Sequence, residues 1–98
     1  MSGMNLSRVI GKPYTMDILL TLLAYDRPLC KVEIVREVNL KRNKTVWKRF
    51  DDLESAGLIE VDHEPKVSNR KYIRLTWYGK KIARNLQECV YLYEMMNA

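Results

Sequence analysis

Apolar residues recur at helical spacing in the first quarter of the chain. They predict a first helix over residues 13–25 with one apolar stripe, formed by Ile18, Leu19, Leu22 and Leu23. Pro13 suits the first helical position because its missing N–H would have no partner there. Residues 1–12 are then an N-terminal arm, and we expect its end, at Val9 and Ile10, to pack against the domain.

Two further helices are predicted by the same spacing. The second is short and spans residues 31–38, and Asn39 ends it because asparagine tolerates a left-handed helix exit. The third spans about residues 43–56, with Asn43 as its N-cap and Gly57 after its last turn. Its inner face carries Val46, Phe50 and Leu53. Its outer face carries Lys44, Thr45, Lys48 and Asp52, with Arg49 and Trp47 on the flanks.

After residue 57 the apolar pattern changes to a period of two. It predicts a strand over residues 58–63 and a second over residues 70–75, joined as a hairpin by a loop that contains proline and asparagine. Thr76 then caps a last helix over residues 77–97. That helix would be about 30 Å long, which is more than a domain of this size needs for its own cover.

The order of these elements predicts an α+β fold that is mostly helical. The expected organisation is an arm over residues 1–12, one folded domain over residues 13–76 and a C-terminal helix over residues 77–98. A chain of 98 residues fits one such domain.

Positive charge is concentrated in one segment. The chain has 17 basic and 12 acidic residues, which gives a net charge of +5. The whole excess lies within residues 41–49, a segment without any acidic residue. Such a run is often only a solvated surface. On one edge of a helix, however, it is also a plausible surface for binding phosphate groups.

Several classes of protein are disfavoured. The longest apolar stretch is far shorter than the roughly 20 residues that span a bilayer, and the N-terminus is not typical of a signal peptide, so we expect a cytoplasmic protein without a membrane partner. Cys30, Cys89 and His63 lack the spacing of a metal site or a disulfide framework. Without a glycine-rich phosphate loop or a nucleophile motif, we expect neither an enzyme nor a cofactor.

Three segments in this order resemble the winged helix-turn-helix regulators of the HxlR, PadR and MarR-like groups of bacteria and archaea. They are GKPYTMDILLTLL, TVWKRFDDLESAGLIEV and RKYIRLTWYGKKIA, and the resemblance covers about residues 10–97. It implies a transcriptional regulator with a three-helix core, a two-stranded β wing and a long C-terminal helix. The chain departs from the pattern at Cys30, where Ser or Thr often opens the second helix, and at Asn39, where glycine is common.

The expected partner is double-stranded DNA, because a major groove about 12 Å wide admits one helix. The third helix would contact base edges or nearby phosphates through Asn43, Lys44, Thr45 and Lys48. The DNA backbone would be held by Lys41, Arg42 and Arg49. The wing would contact the adjacent minor groove or backbone through Lys66, Asn69, Arg70 and Lys71. Because acidic residues lie near the wing, the alternative is that it is a solvated hairpin without a role in DNA binding.

The last helix predicts a homodimer. An apolar seam with alternating spacings of three and four residues starts at Gly79 and continues through Ile82, Leu86, Cys89, Tyr93 and Met96. A two-fold dimer would bind a pseudo-palindromic site. Alternatively, the whole seam packs within one subunit. Cys89 would then be a buried thiol, although in a dimer it could approach its own copy in the partner.

Two other functions remain open at this point. A winged-helix module can serve protein contact alone, although such modules more often expose apolar or mixed-charge residues on the third helix. RNA is disfavoured because the A-form major groove is too narrow for a helix. The sequence does not mark a small-molecule effector.

Overall fold

A computed structural model describes residues 6–37, 44–62 and 71–97. Within these ranges the chain forms, in order, α1 (Leu6–Ile10), α2 (Thr15–Tyr25), β1 (Leu29–Cys30), α3 (Lys31–Glu37), α4 (Lys44–Ser55), β2 (Ile59–Val61), β3 (Tyr72–Leu75) and α5 (Trp77–Met96). The predicted end of the second helix at Val38 and Asn39, the predicted cap at Asn43 and the loop of the hairpin lie outside the described residues.

The core is built by apolar residues from nearly every element. α2 lies against α3, α5 and β3. Its stripe is buried as predicted at Ile18, Leu19 and Leu22, while Leu23 is partly buried. The inner face of α4 is also buried as predicted, at Val46, Phe50 and Leu53. Burial of these large side chains is the main force that holds α2 and α4 in the domain.

The described part of the N-terminal segment contains a short helix. Residues 6–10 form α1, and Val9 is fully buried, which confirms that the end of this segment packs against the domain. α2 begins at Thr15 rather than at Pro13, because Tyr14 adopts a left-handed backbone conformation with φ 71° that interrupts the helix. The buried Thr15 hydroxyl donates to the Val9 carbonyl at 2.8 Å, which ties α1 to the start of α2.

Among the described residues, the two predicted strands pair with each other, and the short strand β1, which was not predicted, adds a third to the sheet. Its order is β1-β3-β2 and both pairings are antiparallel, with Leu29 opposite Ile73 and Ile59 opposite Leu75. The predicted alternation is confirmed in β3, where Ile73 and Leu75 are buried and Tyr72 and Arg74 are exposed. β1 has only two residues, too few to show a period of two.

Thr76 makes two polar contacts at the junction between α4, β2 and α5. Gly57 ends the turn after α4 with φ 78°, as predicted for a residue after a helix. The Thr76 hydroxyl donates to the Gly57 carbonyl at 2.7 Å and accepts from the Gly79 N–H at 2.9 Å, which confirms Thr76 as the cap of α5. Gly79 is buried against the Leu58 carbonyl, so it packs inside the domain and cannot belong to a seam between subunits.

α5 is divided into a covered half and an exposed half. Gly79 and Ala83 are buried, and Ile82 and Leu86 are partly buried against the core. Further along, the large side chains of Tyr91, Leu92, Tyr93, Met95 and Met96 are exposed. Cys89 is also exposed, so the expectation of a buried thiol within one subunit is wrong. Among the described helices, none is both long and apolar enough to cross a membrane.

Candidate nucleic-acid interface

The outer face of α4 carries two of the predicted DNA contacts side by side. Thr45 and Lys48 are both exposed, and residues three apart on a helix are neighbours on its surface. Lys44 begins the helix, and its side chain lies outside the described set. The same is true of the other predicted contacts Lys41, Arg42, Asn43, Lys66, Asn69 and Arg70. Lys71, at the base of the hairpin, is exposed.

Arg49 does not lie on this surface. It was predicted to hold the DNA backbone, but only 6% of the residue is exposed. Its Nε donates to the Pro13 carbonyl at 2.8 Å, and its guanidinium forms an ion pair with Asp52 one turn along α4. Because its buried guanidinium is bonded within the chain at Nε and Nη1, Arg49 does not extend from the exposed outer face of α4 as the predicted phosphate contact requires.

Asp52 was predicted on the outer face of α4 and is buried instead. Its Oδ2 accepts from Arg49 and also from the Lys12 ammonium at 3.3 Å. Two cations on one carboxylate offset the cost of removing it from water. Of the acidic residues of α4, Asp51 is therefore the one that remains fully on the surface, and it lies in the C-terminal half. The N-terminal half of the outer face carries no acidic residue.

A cleft of about 490 Å³ lies beside α4. It is bordered by Trp47 of α4, by residues of α3 and by Lys71, the residue before β3. Three cations border it, namely Lys31, Arg36 and Lys71. Sequence reasoning missed Lys31 and Arg36, because α3 also carries glutamates and reads as an ordinary solvated helix. The fold brings these two side chains to the same cleft as Trp47 of α4.

Lys31 links α3 to α4 at the edge of this cleft. Its Nζ lies 5.6 Å from the centre of the Trp47 ring and 5.5 Å from that of Phe50, which is the range of cation–π contacts. Trp47 is partly buried and its ring centre is 5.9 Å from that of Phe50. In this packing Trp47 covers the edge of the core.

The start of α3 is fixed by Glu33. Its carboxylate accepts from the Cys30 backbone N–H at 3.1 Å, and Arg27 lies 3.3 Å from its other oxygen. The hydrogen bond from Cys30 is the main reason that the pKa of Glu33 is lowered, and Arg27 acts in the same direction. The carboxylate satisfies a backbone donor at the helix N-terminus, as in a capping box.

Metal chemistry has no support among the residues that can be described. Within residues 6–37, 44–62 and 71–97, no group of three or more His, Cys, Asp or Glu side chains could hold an ion.

No protein-family model and no curated protein sequence matches the chain. Several solved structures are similar to it. Protein AF1382 from Archaeoglobus fulgidus is 25% identical with a TM-score of 0.73, and the match covers 92% of this chain and 98% of that chain. The PcaV transcriptional regulator from Streptomyces coelicolor, solved with its natural ligand, is 18% identical with a TM-score of 0.72, over 98% of this chain and 82% of that chain.

A third neighbour is a PadR family transcription regulator from Clostridium difficile, which is 27% identical with a TM-score of 0.62, over 86% of this chain and 95% of that chain. The chain has the winged-helix fold of transcriptional regulators. The resemblance seen in the sequence is therefore confirmed at the level of the fold. In this fold α3 and α4 are the helix-turn-helix pair, and β2 and β3 are the arms of the wing.

Proposed function

We propose that this winged-helix protein binds double-stranded DNA sequence-specifically as a homodimer. In this proposal α4 enters the major groove and the β2–β3 hairpin lies on the adjacent backbone or minor groove. The observation that carries it is the outer face of α4, where Thr45 and Lys48 are exposed. Trp47 of the same helix borders a cleft that is also lined by Lys31, Arg36 and Lys71.

The dimensions of α4 suit this role. A helix of 12 residues is about 18 Å long, and an α-helix fits within a major groove about 12 Å wide. Its basic residues precede its acidic ones, so the N-terminal half would face the groove while Asp51 and Glu54 lie toward the other end. The helix macrodipole adds partial positive charge at the same N-terminal end.

The cleft adds basic residues on the Trp47 side of α4. Arg36 of α3 and Lys71, the residue before β3, are exposed at its border. Phosphate contacts position a regulator on DNA without reading the bases. We assign this role to Arg36 and Lys71, and the reading of bases to Thr45 and Lys48, since α4 is the helix proposed to enter the major groove.

Dimerisation is proposed through the exposed half of α5. Aromatic side chains bury on the order of 150–250 Å² each, and a standard interface buries about 800 Å² on each partner. Two tyrosines, two methionines and one leucine exposed on this half can supply most of that area. Of the predicted interface residues, Cys89, Tyr93 and Met96 are available for it, whereas Ile82 and Leu86 partly cover their own core.

The DNA proposal is tested by the salt dependence of binding to random-sequence duplex DNA. Each phosphate contact contributes about −0.9 to the slope of log K against log salt concentration. We expect a steep slope for the wild type, and for Lys44→Ala/Lys48→Ala a slope that is shallower by about two. The control is Lys81→Ala/Arg84→Ala, which removes the same charge from exposed positions of α5 and should leave the slope nearly unchanged.

Two outcomes would contradict the proposal. If both double variants lose the same slope, the binding is a general effect of net charge and α4 is not the contact. If the wild type does not bind duplex DNA even at low salt, the winged-helix module serves protein contact instead.

A further inference from the structure

Arg49 joins α4 to the turn between α1 and α2. Its side chain is 7% exposed, and its two hydrogen-bonded nitrogens point to different elements: Nε to the Pro13 carbonyl at 2.8 Å and Nη1 to Asp52. Lys12, from the same turn as Pro13, reaches the same oxygen of Asp52 at 3.3 Å. We call these four residues the Arg49 clamp. They connect parts of the chain that are 36 and 40 positions apart.

The turn that receives Arg49 is itself held in place. The Gly11 N–H donates to the Ser7 carbonyl at 3.2 Å, and the Lys12 N–H donates to the Val9 carbonyl at 3.1 Å. The Thr15 hydroxyl adds its bond to the Val9 carbonyl. The Pro13 carbonyl is therefore an acceptor in a fixed position, and a donor bonded to it is fixed as well.

A guanidinium is planar, so two bonds at different nitrogens set the orientation of the whole group. In the clamp this orientation limits how far α4 can rotate about its axis. A rotation of about 20° would move an atom at the helix surface, about 5–6 Å from the axis, by roughly 2 Å. Hydrogen bonds to base edges hold over a range of only about 0.5 Å, so a rotation of this size would misplace Thr45 and Lys48.

We propose that Arg49 is a positioning residue: through the clamp it sets the orientation of α4 on the N-terminal turn, and sequence-specific DNA recognition depends on it. The inference rests on the proposed function, since it concerns how α4 is presented to DNA. It assigns to Arg49 a role without phosphate contact. The role of the buried ion pair is then to fix geometry, because a buried pair contributes little to stability.

The test uses a duplex selected from a random pool by the wild type, together with a random-sequence duplex. Arg49→Lys keeps the charge but cannot make both bonds. We expect Arg49→Lys to bind random DNA with the same salt slope as the wild type. The ratio of its affinities for the selected site and for random DNA should fall about tenfold, which corresponds to the loss of roughly one base contact. Lys48→Ala should instead lower the salt slope by about 0.9.

Asp52→Asn is the second variant, because it keeps Arg49 and removes its ionic partner. It should also lose preference for the selected site without a shallower salt slope. Circular dichroism at the assay temperature shows that each variant is folded, and if Arg49→Lys does not fold, Asp52→Asn and Lys12→Met carry the test.

Three results would overturn the inference. One is an unchanged preference for the selected site in the folded variants. Another is a salt slope that is shallower than the wild type's in a further variant, Arg49→Met, but equal to the wild type's in Arg49→Lys. This result would mean that the positive charge at position 49 contacts a phosphate. The third is a wild type that binds no duplex DNA at all. This result would refute the proposed function itself, and so differs from the first two results, which refute only the role of Arg49.

Discussion

Replacing Gly79 with alanine tests the packing of α5 on the domain. A Cβ at this position would lie 1.9 Å from the Leu58 carbonyl oxygen and 2.9 Å from its carbon, whereas real Cβ contacts are essentially never below 3.0 Å. The clash is with backbone, and the same carbonyl accepts the Thr76 N–H at 3.1 Å. The helix must therefore move away by about 1 Å, which also strains the Thr76 cap.

The magnitude follows from two costs. Overpacking of a tight interior costs about 1–3 kcal/mol, and loss of the Thr76–Leu58 hydrogen bond adds about 1 kcal/mol. We expect Gly79→Ala to lower the free energy of unfolding by about 3 kcal/mol in total. For a chain of this length each kcal/mol lowers the melting temperature by about 4–8 °C, so the expected shift is about 12–24 °C.

The assay is thermal and urea unfolding followed by circular dichroism, at one fixed protein concentration because any self-association would make apparent stability depend on concentration. The control is Gly11→Ala, where the new Cβ would meet the Ser7 carbonyl at an ordinary 3.4 Å. We expect the control to change stability by less than about 0.5 kcal/mol. If Gly79→Ala melts within a few degrees of the control, the close approach of α5 to Leu58 is wrong.

Three further predictions concern a cap, a carboxylate and the dimer. Thr76→Val keeps the shape of the side chain but removes the N-cap of α5, and should cost about 1 kcal/mol in urea unfolding. Because the pKa of Glu33 is lowered in the folded chain by the Cys30 N–H, its carboxylate stabilises the fold above its unfolded pKa, and this contribution disappears as the pH falls through the folded pKa. Glu33→Gln should therefore lower the urea midpoint at pH 7, and the difference from the wild type should narrow at pH values well below the ordinary glutamate pKa of about 4.3; a difference independent of pH would contradict this. If the exposed half of α5 is the proposed dimer interface, light scattering should show a dimer for the wild type and a monomer for Tyr93→Glu/Met96→Glu. A wild type that is monomeric at micromolar concentration would refute the interface.

Much of the fold could be predicted because its long elements have clear periods. The stripe on α2, the inner face of α4 and the alternation in β3 each repeat often enough to be recognised. The missed elements are short or depend on distant residues. β1 has two residues and exists only because β3 pairs with it, and the late start of α2 follows from the left-handed Tyr14.

The candidate site shows the same limit at the level of single side chains. The helical period places Lys48 on the outer face of α4, and the structure agrees. It leaves Arg49 on the flank, where a long side chain can turn either way. Arg49 turns inward because a carbonyl from Pro13 and a carboxylate from Asp52 are available there. No count of charges along the sequence contains that information.

Contact between DNA and the outer face of α4 can be observed by mapping amide chemical shifts in nuclear magnetic resonance spectra as duplex DNA is added. We predict that the largest changes fall in the first half of α4 and around Arg36 and Lys71, with little change at the exposed end of α5. Changes confined to α5, or spectra that do not change at low salt, would contradict it.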